Sequence, residues 1–153
     1  IPLCVVRPCA VYGAGDTHNS YGPNRFLRLA LKEKKITLFG NGEEQRDHIY
    51  VRDLTRLIAL CLAHKTEGAI NAATGRAVSF FEIAQQIIRL VPPTVVLECL
   101  PRATPITHRH FDVSLRARDF PEFRCTPLEI GLAEMCKDLA AGGVRKRAAG
   151  TED

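Results

Sequence analysis

The sequence predicts an α/β fold with parallel strands. Three observations point there: a continuous apolar run, "PLCVV" at residues 2–6, with a second buried-strand candidate in "AINAA" at residues 69–73; amphipathic helical patterns between and after them; and loops punctuated by glycine and proline. A continuous apolar run has no polar face to show to water, which fits a strand covered on both sides in a parallel sheet. Two such strands are too few to form a sheet, so their neighbours are expected upstream of Ile1, in a longer protein of which this chain is a piece.

Taken in order, residues 2–6 are the first strand and "RPCAVYGAGDTHNSYGP" is a long loop. A helix is predicted from about residue 24 to 34. "ITLFG" at 36–40 is a short strand closed by Asn41-Gly42, a hairpin signal, and "DHIYV" at 47–51 returns as an extended piece. Leu54, Leu57, Ile58, Cys61 and Leu62 recur at helical spacing and mark a buried face. After the second strand, Ser79 and Glu82 make a capping box ahead of Phe80, Ile83, Ala84, Ile87 and Val91. In such a box the serine and glutamate side chains each satisfy a backbone N–H left free at the helix start. "TVVLECL" at 94–100 is a strand, and residues 101–112 are too polar and proline-rich for regular structure. Thr126, Pro127 and Glu129 open a last helix with a second box, and Leu128, Leu132, Met135, Cys136 and Leu139 form its apolar stripe. Residues 1–141 are expected to be the folded part and residues 142–153 a disordered tail.

Composition narrows the function. With 46% hydrophobic and 25% charged residues, the 153-residue chain is globular. Its net charge of +4 is scattered apart from "VRKR" near the end, which favours an anionic small ligand over a nucleic-acid surface. No stretch approaches the ~20 apolar residues of a membrane span. Cys4, Cys9, Cys61, Cys99, Cys125 and Cys136 include no CxxC pair and read as buried thiols, pointing to a reducing, cytoplasmic setting. His108 and His110 alternate in "HRH" while His18 and His48 fall in loops; no third ligand stands at motif spacing, so no metal site is expected.

The densest stretch is "FGNGEEQRDHIYVRDL". An arginine at the lip of a turn and strand serves as a salt-bridged corner, a nucleic-acid contact or a clamp for a phosphorylated small molecule. Arg46 has Glu43, Glu44 and Asp47 beside it for the first role. For the last, its planar fork meets phosphate oxygens with two hydrogen bonds at once. Asp47 is assigned to holding the turn, and Asp53 to the start of the following helix, where a carboxylate meets free amides.

The order of motifs carries a resemblance. "RPCAVYGAGD", "PNRFLRLAL", "ITLFGNGEEQRDHIYVRDL", "AINAATGRAVSFFEIAQQI", "PR" ahead of "FDVS", and "TPLEIGLAEM" follow one another as in the C-terminal half of the extended short-chain dehydrogenase/reductase family. Within it the similarity is to NAD-dependent nucleotide-sugar epimerases and dehydratases of the UDP-glucose 4-epimerase type. The resemblance implies that the chain supplies the late strands of a Rossmann-type sheet and a small α/β substrate-binding domain. It also implies NAD or NADP as cofactor, held mainly by residues upstream, a nucleotide-diphosphate sugar as ligand, and a possible homodimer. The family's YxxxK pair and glycine-rich dinucleotide loop have no counterpart here: none of Tyr12, Tyr21 and Tyr50 has a lysine four residues on. The chain alone is therefore expected to be inactive.

By the same resemblance, Arg46 reaches the substrate diphosphate and Arg102, ten residues before Asp112, completes the clamp, although "RATP" replaces the family's usual "RPGD". Pro8, Cys9 and Ala10 are implied to face cofactor and substrate. Leu38 and Phe39 lie beside the nucleotide base, and Tyr21 or Asn24 reaches a phosphate. Two rival readings stand beside this one. One is an extended-family reductase acting on a non-nucleotide substrate such as a sterol or flavonoid. The other is a non-catalytic module that binds a nucleotide sugar.

Overall fold

Parallel pairing governs the strands. In the computed structural model, which describes residues 2–16 and 18–141, β1 (Cys4–Pro8) pairs in parallel with β5 (Gly68–Ala72), joining the apolar run and the second strand candidate of the sequence. A second sheet places β2 (Ala10–Tyr12) parallel to β4 (Gln45–Tyr50), with β6 (Ala77–Ser79) antiparallel on the far side of β4. A third pairs β3 (Lys35–Phe39) in parallel with β7 (Val96–Leu100). Around them run α1 (Pro23–Glu33), α2 (Val51–Ala63), α3 (Phe80–Leu90), α4 (Ser114–Asp119) and α5 (Leu128–Ala140). The mixed α/β class is as predicted. The expected tail at 142–153 lies outside the described residues.

The helices form for local reasons and are held by two cores. Pro23 presets the first turn of α1, and Lys34 ends it in the left-handed region with φ 54°. Ser79 and Glu82 close the predicted capping box of α3, Ser79 Oγ accepting from Glu82 N at 3.1 Å and Glu82 Oε2 from Ser79 N at 2.8 Å. Phe26, Leu27, Leu38, Ile83, Ile87, Leu132 and Met135 knit α1, α3, α5 and β3 into one core. Ile49, Leu57, Cys61, Ile70, Phe120 and Phe123 make the other, beneath α2 and α4.

Several expectations are corrected. Val5 of β1 and Leu3 before it are exposed, because β1 has β5 as its one partner strand among the described residues. Asn41-Gly42 is not a hairpin: β3 and β4 on either side of it pair with different strands, and the turn passes the chain between two sheets. Ile58 and Leu62 of α2 face outward, leaving Leu57 and Cys61 to fill the core. The box at α5 does not form. Thr126 instead gives its backbone N–H and hydroxyl to Asp53, at 2.6 and 3.0 Å, so the Asp53 carboxylate ties α2 to α5. All six cysteines are free thiols, but only Cys9 and Cys61 are buried; Cys4, Cys125 and Cys136 are half-buried and Cys99 is exposed. His48, read as a loop residue, is a buried strand residue.

Candidate functional site

The chain changes sheets at Cys9. Pro8 is paired with Ala72 in the first sheet, Ala10 with His48 in the second, and Cys9 N–H donates to Ala72 O at 3.1 Å between them. Where parallel strands part in this way, their carboxyl ends leave a crevice. Here it is a cavity of about 290 Å³ lined by Pro8, Cys9, Ala10, Tyr21, Arg46, Asp47, His48, Phe80, Arg109 and Phe111. Five residues chosen from the sequence, Pro8, Cys9, Ala10, Tyr21 and Arg46, thus meet in one place.

The two arginines of the expected clamp converge on a single carboxylate. Arg46 on β4 reaches Oε1 of Glu44 with Nη2 and the carbonyls of Gln45 and Thr107 with Nη1. Arg102, in the loop after β7, places Nη1 2.8 Å from Oε2 of the same Glu44 and Nη2 3.0 Å from the Phe39 carbonyl. Its Nε is buried without a partner among the described residues. Arg102 is therefore not a solvated surface arginine: its side chain is 15% exposed and that of Arg46 18%. The salt-bridged corner weighed for Arg46 exists: two guanidinium groups hold the single Glu44 carboxylate, and of the two arginines Arg46 also lines the cavity while Arg102 does not.

Asp47, next in the chain, faces inward. Its carboxylate, 1% exposed, accepts from Thr74 N (2.9 Å), Thr74 Oγ1 (2.7 Å) and Gly75 N (2.7 Å), so the turn it holds is the one after β5. Gly75 adopts φ 83°, a left-handed conformation natural to glycine. Cys9 Sγ donates to Asp47 Oδ1 at 3.5 Å; burial, then the Asp47 charge, pushes the thiol pKa well above its ordinary value, so Cys9 is held as the neutral thiol.

The remaining candidates separate. Tyr21 Oη accepts from Phe39 N–H at 3.1 Å, and its ring lies 5.4 Å from that of the exposed Phe39. Phe39 thus offers a free aromatic face, whereas the Leu38 side chain is wholly buried and only its backbone is available. Asn24, the second residue of α1, is engaged with the loop that precedes its helix: it accepts from Gly13 N at 3.0 Å and donates to Asp16 at 2.7 Å, and it does not line the cavity.

Sequence reasoning missed His48, Phe80, Arg109 and Phe111 as wall residues. Arg109 arrives because its segment bridges in parallel to Arg46 and donates its N–H to Gln45 O at 3.1 Å. Nothing in "HRH" separates it from a solvated arginine. The flanking His108 is engaged, with Nδ1 accepting from Gln45 N at 3.2 Å. His48 Nδ1 stands 3.2 Å from the Arg46 carbonyl, a contact that requires the proton on Nδ1. Burial depresses its pKa from 6.5 to about 4, so the ring is neutral near pH 7.

Pro8, Cys9 and Ala10 suit a flat cofactor ring: they are small and uncharged and run from the carboxyl end of β1 into the start of β2, along the cavity wall. None of the three carries a charge to hold a pyrophosphate, so they would form a wall for a dinucleotide and not its grip. Among the described residues, no helix is long and apolar enough to cross a membrane and no group of three or more His, Cys, Asp and Glu is placed to hold a metal ion.

Comparison with known proteins follows the same line. The chain is 31% identical over 137 residues to ADP-L-glycero-D-manno-heptose-6-epimerase of Pseudomonas paraeruginosa, covering 78% of this chain and 41% of that protein. It is 29% identical over 140 residues to dTDP-4-dehydro-6-deoxy-D-allose reductase of Streptomyces bikiniensis, covering 87% and 42%. In fold it matches UDP-N-acetylglucosamine 4-epimerase from Methanobrevibacter ruminantium, solved with UDP-N-acetylmuramic acid, with a TM-score of 0.78 at 20% identity over 92% of this chain and 46% of that one. The chain spans less than half the length of each of these proteins. Residues 1–73, which contain β1 to β5, the Arg46 turn and the Cys9 crossing, match the NAD dependent epimerase/dehydratase family.

Proposed function

We propose that this chain is the nucleotide-sugar-binding portion of an NAD(P)-dependent epimerase or dehydratase, working within a longer cytoplasmic protein that supplies the dinucleotide loop and the catalytic tyrosine and lysine. On this reading residues 1–141 form the substrate domain with the last Rossmann strands, the 153 residues alone bind without turnover, and the full protein is a homodimer. The observation that carries the reading is the sharing of Glu44 by Arg46 and Arg102. Two guanidinium groups from separate segments, each satisfied by one oxygen of a single carboxylate, match the demand of a diphosphate for a donor on each phosphate. Phe39, exposed beside them, offers a face for the base. The match of residues 1–73 to the family adds the cofactor class.

In the intact protein, Arg46→Ala is expected to weaken binding of UDP and UDP-sugars by roughly 10- to 150-fold, the equivalent of a charge-assisted hydrogen bond worth about 1.5 to 3 kcal/mol. Arg46→Lys should fall between, keeping the charge but losing the fork. Isothermal titration beside urea unfolding decides it. Unchanged affinity with lowered stability would make Arg46 a structural corner and remove the basis of the assignment.

A further inference from the structure

A second and larger cavity, about 560 Å³, shares His48 with the cavity at Cys9 but is not lined by Glu44, Arg46 or Arg102; its walls come from β4, β6, α3, α4 and the segment leading into α5 with the first turn of that helix. Its volume falls in the range of small-molecule sites. Arg116 of α4 lines it and is 7% exposed, yet its guanidinium makes no hydrogen bond or ion pair with any described residue, and its Nε is buried without an acceptor. Its charge rests only on the face of Phe123, whose ring centroid is 5.3 Å from the guanidinium carbon. A buried, unpaired cation is costly, and a fold that keeps one normally supplies it with an anion.

The rest of the lining agrees. Gln86 of α3 buries an Oε1 that has no donor. Arg76 lines the same space with a guanidinium that makes no hydrogen bond among the described residues, and Arg124 adds a third positive charge, bound to the carbonyls of Pro121 and Phe123. Glu129 is the one acid in the wall, and His48, which also lines the cavity, is neutral near pH 7.

We propose that this cavity is an anion-binding site separate from the Arg46–Arg102 clamp. It takes a small molecule with a phosphate or carboxylate group, which accepts from Arg116, and a hydroxyl, which donates to Gln86 Oε1. Neither Arg46 nor Arg102 contributes to it, so the site stands or falls independently of nucleotide-sugar binding.

The test uses the intact protein carrying Arg46→Ala, Arg102→Ala and Glu44→Ala, which removes the clamp together with the carboxylate it holds so that no charge is stranded, with inorganic phosphate, glycerol 3-phosphate and glycerate as probes in isothermal titration. Saturable binding of at least one probe is expected to persist, and the preference between glycerol 3-phosphate and glycerate identifies the anion. Arg116→Met should weaken that binding by about tenfold or more. Gln86→Leu should weaken the hydroxyl-bearing probes more than inorganic phosphate. No saturable binding, or the same affinity after Arg116→Met, overturns the proposal. Should Arg116→Met fail to fold, a tungstate soak of crystals of the unaltered protein replaces it: density within hydrogen-bond distance of Arg116 supports the site, and its absence refutes it.

Discussion

Replacing Asp47 by asparagine should cost the fold about 2 to 4 kcal/mol, although its neighbour Arg46 can be removed almost without loss. The Asp47 carboxylate is 1% exposed and receives two backbone N–H groups, Thr74 on Oδ1 and Gly75 on Oδ2, together with the Thr74 hydroxyl. An asparagine keeps one acceptor oxygen and turns an NH2 toward the other donor, so one backbone N–H faces another N–H whichever way the amide is set. Thr74 is half-buried and Gly75 exposed, so the orphaned N–H sits at the lower end of the ~1 to 3 kcal/mol range, to which the loss of charge assistance in the remaining bond adds. Alanine orphans both N–H groups and should cost about 3 to 6 kcal/mol. Arg46→Ala leaves Glu44 still bound to Arg102 at 2.8 Å, so no buried charge is stranded and the cost should stay near 1 kcal/mol. Urea unfolding of the intact protein measures all three. An Asp47→Asn variant within 1 kcal/mol of the parent would mean that the Thr74-Gly75 turn does not depend on this carboxylate, and the structural role argued for Asp47 would be wrong.

Two further outcomes follow from buried polar groups. His48 has a folded pKa of about 4 against an ordinary 6.5, so between those values the unfolded chain binds a proton that the folded chain does not. Stability should therefore fall as pH drops from 6.5 to 4, by up to about 1.4 kcal/mol per pH unit from this residue, and this contribution should level off below 4. Urea midpoints across that range should show a shallower slope for His48→Phe; equal slopes would refute the assignment. Tyr12 buries its hydroxyl without a partner among the described residues, and a methyl at Gly131 of α5 would overlap that hydroxyl. Gly131→Ala should lose about 1 to 3 kcal/mol by overpacking, Tyr12→Phe should be neutral or stabilising, and the double variant should recover part of the loss. Strict additivity in thermal and urea unfolding would show that the two positions do not meet.

The features legible in the sequence are those whose physics is local. Ser79 and Glu82 are three residues apart, so their box forms without help from the rest of the fold. The apolar run at residues 2–6 and the strand candidate at 69–73 read as parallel strands from their composition, and β1 and β5 do pair in parallel, although Leu3 and Val5 stay exposed. Arg46 stood out through the chemistry of its fork and the motif around it. The three-residue strands β2 and β6 were missed, since so few residues carry no period and their hydrogen bonds come from β4. The Thr126 signal misled because its hydroxyl had a second suitor, Asp53, far away in sequence.

What the sequence determined by itself was the α/β class, the buried face of α3 and the residue types able to grip an anion, because periodicity and side-chain chemistry are properties of neighbours along the chain. What the tertiary structure alone decided was which of those residues share a space. It brought Arg46 and Arg102 to one Glu44, set Asn24 to work on the loop before its helix, carried Arg109 to the cavity beside β4, and buried Arg116 without an acceptor. The reason is physical. Arginines in the sequence are alike in charge and reach, and only burial and long-range pairing make one of them solvated, another part of a clamp and a third an unpaired charge inside a wall.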